Sequence, residues 1–112
     1  MHKSEYIDLV ETTATKKPII VFKFGAKWCK PCQSIDTKDL FASYNMTTTC
    51  VYEIDIDTSF ELFAHLRMYK LISVIPTFLV YKDSRDYLKP DGILSGTDKT
   101  QLNNFFDKQL KS

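Results

Sequence analysis

The chain has 112 residues, 44% hydrophobic and 26% charged, which is enough apolar material for a single domain, 1–112, with a core of its own. A formal net charge of +1, from 15 Lys and Arg against 14 Asp and Glu, offers no field to gather polyanions, so nucleic acid is not an expected partner. Residues 2–10 carry Glu5 and Asp8 and lack the unbroken run of about 7–15 apolar residues of a signal peptide, and no segment reaches the ~20 of a membrane span, so no membrane role is expected.

Residues 4–14 read as a helix, with Ser4 as N-cap and Tyr6, Leu9, Val10 and Thr13 on one face. After Pro18, residues 19–24 are β-branched and aromatic apart from Lys23, the pattern of a strand covered on both faces and hence of the central strand. A helix opens near Pro31, since proline in a first turn loses no helical hydrogen bond. Ile35, Leu40, Phe41 and Tyr44 supply its apolar face, and the overlong step from Ile35 to Leu40 predicts a bend around Lys38.

Residues 49–56 alternate and form a second strand. Thr58 and Glu61 pair as a capping box for a helix that carries Phe60, Phe63, Ala64 and Met68 and ends near Tyr69, with His65 in surface i,i+4 contact with its neighbours. Residues 77–81 make a third strand, entered from Ile75-Pro76, and the charges of residues 82–89 read as a solvated loop. Residues 93–95 close a hairpin. Asp98 and Gln101 then cap a last helix whose Leu102, Phe105, Phe106 and Leu110 keep helical spacing. This order requires parallel crossovers first and an antiparallel edge last: an α/β chain with a central mixed sheet of about four strands flanked by helices.

The segment Trp28-Cys29-Lys30-Pro31-Cys32 places a C-x-x-C between a strand and a helix, with both sulfurs within one turn. Unpaired N–H groups at the helix start stabilise a thiolate, so Cys29 is expected to be exposed and of depressed pKa, with Cys32 shielded; Lys27 and Lys30 add a screened contribution. Structural zinc needs four ligands, and only Cys50, His2 and His65 remain, so no metal is expected. Three cysteines do not make an even disulfide framework, which suits a reducing, cytoplasmic setting. Cys50 reads as a buried, unreactive small hydrophobe.

Residues Phe24-Gly25-Ala26-Lys27-Trp28-Cys29-Lys30-Pro31-Cys32 resemble the active site of the thioredoxin family, and Ile75-Pro76-Thr77-Phe78 resembles its cis-proline loop. The resemblance spans most of the chain and implies a thioredoxin fold and protein-disulfide reductase activity. It makes Cys29 the nucleophile, Cys32 the resolving thiol and Pro76 a cis residue facing them, and Ile75 lends its backbone to an extended substrate while Trp28 covers one side. The implied partners are disulfide-containing proteins and a recycling reductase, an NADPH-dependent flavoprotein thioredoxin reductase, with no cofactor in the chain itself.

Three departures from the family pattern stand out. The family buries an aspartate where this chain has Lys23 and places a lysine where it has Glu53. The strand pattern allows the two exchanged charges to meet, so that Lys23 holds Glu53 ionised to take the proton of Cys32, unless Lys23 snorkels to solvent instead. The usual first strand has no counterpart before Ser4, which leaves residues 49–56 as an open sheet edge able to support a dimer. Val74 replaces a small residue and narrows the substrate groove. Two other functions fit the same motifs: a binding module in which the redox pair is secondary, and a thiol oxidase or isomerase.

Overall fold

The apolar run at residues 19–24 becomes the strand β1, Ile19–Gly25, at the heart of a computed structural model that describes residues 1–12 and 16–110. Around it the order is α1 (Lys3–Glu11), β1, α2 (Lys30–Gln33), α3 (Thr37–Leu40), β2 (Thr49–Asp55), α4 (Phe60–Met68), β3 (Thr77–Tyr81), β4 (Gly92–Ser95) and α5 (Lys99–Leu110). The four strands lie in the order β2-β1-β3-β4, with β1 parallel to β2 and antiparallel to β3, and β3 antiparallel to β4. This is the α/β mixed sheet expected from the sequence, with β2 as an edge strand. Thr13 and Ala14, assigned to the first helix, lie outside the described residues.

Alternation along β1 divides the core. Ile20, Phe22 and Phe24 face Tyr6, Val10, Leu62 and Leu66 from α1 and α4. Ile19 and Val21 face Phe41, Phe78, Leu102 and Phe106, so α5 covers the other side of the sheet. Lys23 follows the second set, and this period-two geometry aims it toward α2 and α3.

Several local expectations give way to tertiary contacts. Helix α1 starts at Lys3, with His2 rather than Ser4 at the cap position and no side-chain cap, because Met1 packs against the core and its amino group bonds Ser59. The helix after Pro31 is broken at residues 34–36, ahead of Lys38. There Asp36 turns extended and its carboxylate accepts the Asp39 N–H at 3.2 Å, acting as an N-cap for a second helix. Thr58 and Glu61 form no capping box: the cap residue is Ser59, and the Thr58 hydroxyl bonds the Asp55 carbonyl instead. Helix α4 accordingly buries Leu62 and Leu66, leaving Phe60, Ala64 and Met68 exposed and Phe63 half-buried.

The polar segment after β3 is pinned rather than merely solvated. Asp91 Oδ2 accepts the N–H groups of Lys82, Asp83 and Ser84 at 2.6, 3.1 and 3.1 Å. Tyr87 packs on the core, with its hydroxyl 2.9 Å from His65 Nε2. His65 also makes the i,i+4 contact, its ring edge-on to Tyr69 at 5.0 Å. Asp98 caps α5 as expected, accepting the Gln101 N–H at 2.9 Å. Cys50 is half-buried rather than buried, since an edge strand has no neighbour to cover it. Its hydrogen bond to Tyr52, with burial, pushes that phenol up to about 12.

Tyr6 and Tyr81 share a buried hydrogen bond of 2.8 Å, and burial first, then their mutual contact, holds the Tyr6 hydroxyl well above its ordinary value; burial likewise raises Tyr81. A group whose folded pKa is raised contributes stability that is present below its unfolded pKa and lost as pH rises above it. The urea midpoint is therefore expected to be level from pH 8 to 9 and to fall above about pH 10, the unfolded tyrosine value. A midpoint that stays level to pH 11 would contradict this.

Candidate active site

At the end of β1 the chain turns through Ala26, whose carbonyl accepts the Cys29 N–H at 3.2 Å and the Gln33 side-chain amide at 2.9 Å. These bonds set Cys29 at the N-cap of α2, with Pro31 in the first turn. Cys29 and Cys32 are joined as a disulfide, Cα to Cα 5.3 Å, and the Cys32 N–H donates to Cys29 Sγ at 3.3 Å. A helix-terminal donor thus points at the sulfur that would carry charge on reduction.

In this oxidised form both cysteines are buried, Cys29 at 6% exposure and Cys32 at 1%. The exposure expected of Cys29 concerns the reduced thiol; in the disulfide Cys29 is the more accessible of the two. Gly25 lets β1 end against the pair: a Cβ there would stand 3.3 Å from Cys32 Cβ and 3.4 Å from its sulfur.

The Ile75–Pro76 bond is cis and Pro76 is buried at the entry to β3. Pairing of Phe24 with Thr77 brings Pro76 level with Gly25, beside the disulfide. The Pro76 carbonyl is taken by the Gly96 N–H at 3.0 Å, whereas among the described residues neither backbone group of Ile75 has a partner. Val74, next to it in the chain, and Trp28 are both exposed. Trp28 is oriented by Asp57, whose Oδ2 accepts the indole N–H at 2.9 Å, while Asp55 Oδ1 accepts the Asp57 N–H at 2.8 Å. Sequence reasoning passed over Asp57; its place just beyond the C-terminal end of β2, on the same side of the sheet as the C-x-x-C, was the available signal.

Beneath the disulfide, Lys23 and Glu53 are register partners on one face. Lys23 Nζ lies 3.4 Å from Glu53 Oε1, 3.1 Å from Thr37 Oγ1 and 3.4 Å from the Cys32 carbonyl oxygen. The lysine does not snorkel: it is 7% exposed, held inside by these acceptors, whereas the Glu53 side chain is 63% exposed. Thr37, which belongs to no motif, also donates to Glu53 Oε1 at 2.9 Å. A cleft of about 310 Å³ joins Lys23, Cys32, Glu53 and Asp55. Lys30 is exposed and has no side-chain partner among the described residues. No group of three or more His, Cys, Asp or Glu among them is placed to hold a metal, and no described helix is long and apolar enough to cross a membrane.

A C-x-x-C disulfide at a helix N-terminus, flanked by a buried cis-proline at the entry to a strand paired with β1, defines a thiol–disulfide oxidoreductase. The sequence profile described as Thioredoxin matches residues 1–108. Thioredoxin-1 of Drosophila yakuba is 33% identical over 101 residues, 88% of this chain and 86% of that one. Thioredoxin domain-containing protein 8 of Rattus norvegicus is 34% identical over 67 residues, 60% of this chain and 50% of its own length, so the chain spans only half of that relative. Oxidised mitochondrial thioredoxin 3 of Saccharomyces cerevisiae superposes with a TM-score of 0.71 at 21% identity, covering 98% of this chain and 89% of that one. The chain belongs to the thioredoxin family.

Proposed function

We propose that this chain reduces disulfides in other proteins by a two-step exchange, Cys29 attacking and Cys32 resolving. The observation that carries this is the disulfide itself, closed at the start of α2 with a backbone N–H on Cys29 Sγ. Once reduced, the Cys29 thiolate attacks a target disulfide, forming a mixed disulfide and expelling one target thiolate. Cys32 then loses its proton and attacks Cys29 Sγ, releasing the second target thiolate and closing the pair. The unpartnered backbone of Ile75 beside Pro76 suits an extended target segment, with Trp28 and Val74 limiting its width. Glu53, oriented by its contact with Lys23, takes the proton of Cys32 through water in the shared cleft; Lys30 contributes a weak field at the helix start. Recycling falls to an NADPH-dependent thioredoxin reductase in the cytoplasm, where electrons pass onward in thiol homeostasis, and the open edge of β2 offers a surface for dimerisation.

Insulin reduction with dithiothreitol as electron donor tests the activity. Turnover well beyond the uncatalysed rate supports the reductase. Capture of insulin that persists unchanged when both Cys29 and Cys32 are serine identifies a binding module instead, and an equilibrium with glutathione lying far toward the dithiol identifies an oxidase. Glu53→Gln is expected to leave mixed-disulfide formation at its wild-type rate and to slow resolution about 10²-fold, the lower end of general-base contributions. An unchanged resolution rate removes Glu53 from the proton path.

A further inference from the structure

We infer that Lys23 is a positioning residue whose buried ammonium supplies a fixed positive charge beneath Cys32, stabilising its thiolate and poising the cysteine pair toward the oxidising end. This inference rests on the reductase reading above. Its basis is the placement of a charge in an interior strand of the sheet, where Phe22 and Phe24 on either side are fully buried and Lys23 itself is 7% exposed. A lysine buried there is tolerated only with acceptors around it, and the three it has are a carbonyl, a hydroxyl and a carboxylate. One of them is the Cys32 carbonyl oxygen. Lys23 is the only charged side chain among the described residues in hydrogen-bond contact with either cysteine.

The surrounding charges do not cancel it. Glu53 on β2 is largely in water, which screens a carboxylate more than a buried ammonium is screened, so the field left at Cys32 is positive. Asp55, on the same strand, accepts the Asp57 N–H, and Asp57 holds the Trp28 indole. Lys27 lines the cleft and Lys30 sits exposed in the first turn of α2, both adding positive charge. From β3 the register neighbour of Lys23 is Phe78, which carries no charge. Thr37 fixes the ammonium in place, and it can do so because the helix is broken at residues 34–36: Asp36 caps α3, which sets the Thr37 hydroxyl at the helix start between Lys23 and Glu53.

In the resolving step the Cys32 thiol releases its proton, the thiolate forms a bond to Cys29 Sγ, and the bond from Cys29 Sγ to the target sulfur breaks, leaving a target thiolate that takes a proton from solvent. Two electrons have then passed from the cysteine pair to the target disulfide. A positive charge under Cys32 favours the species that carries negative charge, the deprotonated mixed disulfide and the reduced pair, and does nothing for the uncharged disulfide. Resolution is thereby accelerated at neutral pH, while the equilibrium of the free pair moves toward the dithiol.

The test compares Lys23→Met, Lys23→Arg and Glu53→Gln by equilibrium with glutathione and by the pH dependence of resolution in single turnover. Lys23→Met should slow resolution at pH 7, with its pH midpoint moved up by about one unit, and should shift the equilibrium toward the disulfide, reaching about tenfold, about 30 mV, at the pH where Cys32 is ionised. Lys23→Arg keeps the charge and should restore both. Glu53→Gln unmasks the ammonium and should move the equilibrium the opposite way, which a merely structural role of the pair would not produce. Because Glu53 is largely solvated, Lys23→Met strands no buried charge; Thr37→Val, which keeps both charges but frees the ammonium, should give a smaller shift of the same sign as Lys23→Met. Unchanged equilibrium and pH midpoint in Lys23→Met, or a failure of Lys23→Arg to restore them, overturns the inference even if the wild-type chain reduces insulin. Absence of insulin reduction by the wild-type chain overturns the reductase reading separately.

Discussion

Cys29→Ser should lower insulin reduction by at least about 10³-fold, because a hydroxyl at this position lacks both the ionisation and the intrinsic nucleophilicity of a thiolate at neutral pH. The position is specific: Cys29 is the N-cap of α2, and its Sγ accepts the Cys32 N–H. Cys50 cannot replace it, being a half-buried thiol on the edge strand β2 with no disulfide partner in the chain. Cys32→Ser should be nearly as inactive in turnover for a different reason. Attack by Cys29 still proceeds, and the chain accumulates as a mixed disulfide that only added thiol releases. Retention of more than a tenth of wild-type turnover in Cys29→Ser would exclude the assigned attack.

Phe22→Ala should cost about 3–5 kcal/mol, within the range for removing a fully buried aromatic ring. Phe22 is fully buried on the central strand, with the rings of Tyr6, Tyr52 and Tyr81 at centroid distances of 4.3, 5.5 and 5.9 Å. Its removal opens a cavity where α1, β2 and β3 meet on β1, and neither α1 nor β3 can close it without disturbing the Tyr6–Tyr81 hydrogen bond they share. Since whole domains are stable by only about 5–15 kcal/mol, the loss takes a large share of the total. It should appear as a urea midpoint far below wild type with the denaturant slope unchanged. A loss under 1 kcal/mol would mean that the aromatic cluster is loosely packed.

The strands were legible because their residues leave little choice. Ile19 to Phe24 admits only a strand covered on both faces, and the alternation from Thr49 onward fixes which side chains share a face, so Lys23 and Glu53 could be paired before any coordinates. The C-x-x-C and the Ile75-Pro76 junction carried the site because few other arrangements use both. Helix termini were less legible. Asp36 caps a helix in the middle of what reads as one amphipathic run, and Ser59 takes the place of Thr58, because both depend on where the chain is pulled by packing and not on local composition. The same is true of Leu62 and Leu66, which win burial over Phe60 and Met68 through the way α4 lies on the core. Thr37 and Asp57 carry no motif; each acts through a partner more than ten residues away, which only the fold brings near.

The most direct measurement is to mix reduced Cys32→Ser protein with a disulfide-containing target such as insulin and to map the trapped mixed disulfide by peptide mass. The expected result is a target adduct on Cys29, absent from Cys50 and reversed by dithiothreitol. An adduct on Cys50 alone, or no adduct while the folded protein retains free thiols, would contradict the account.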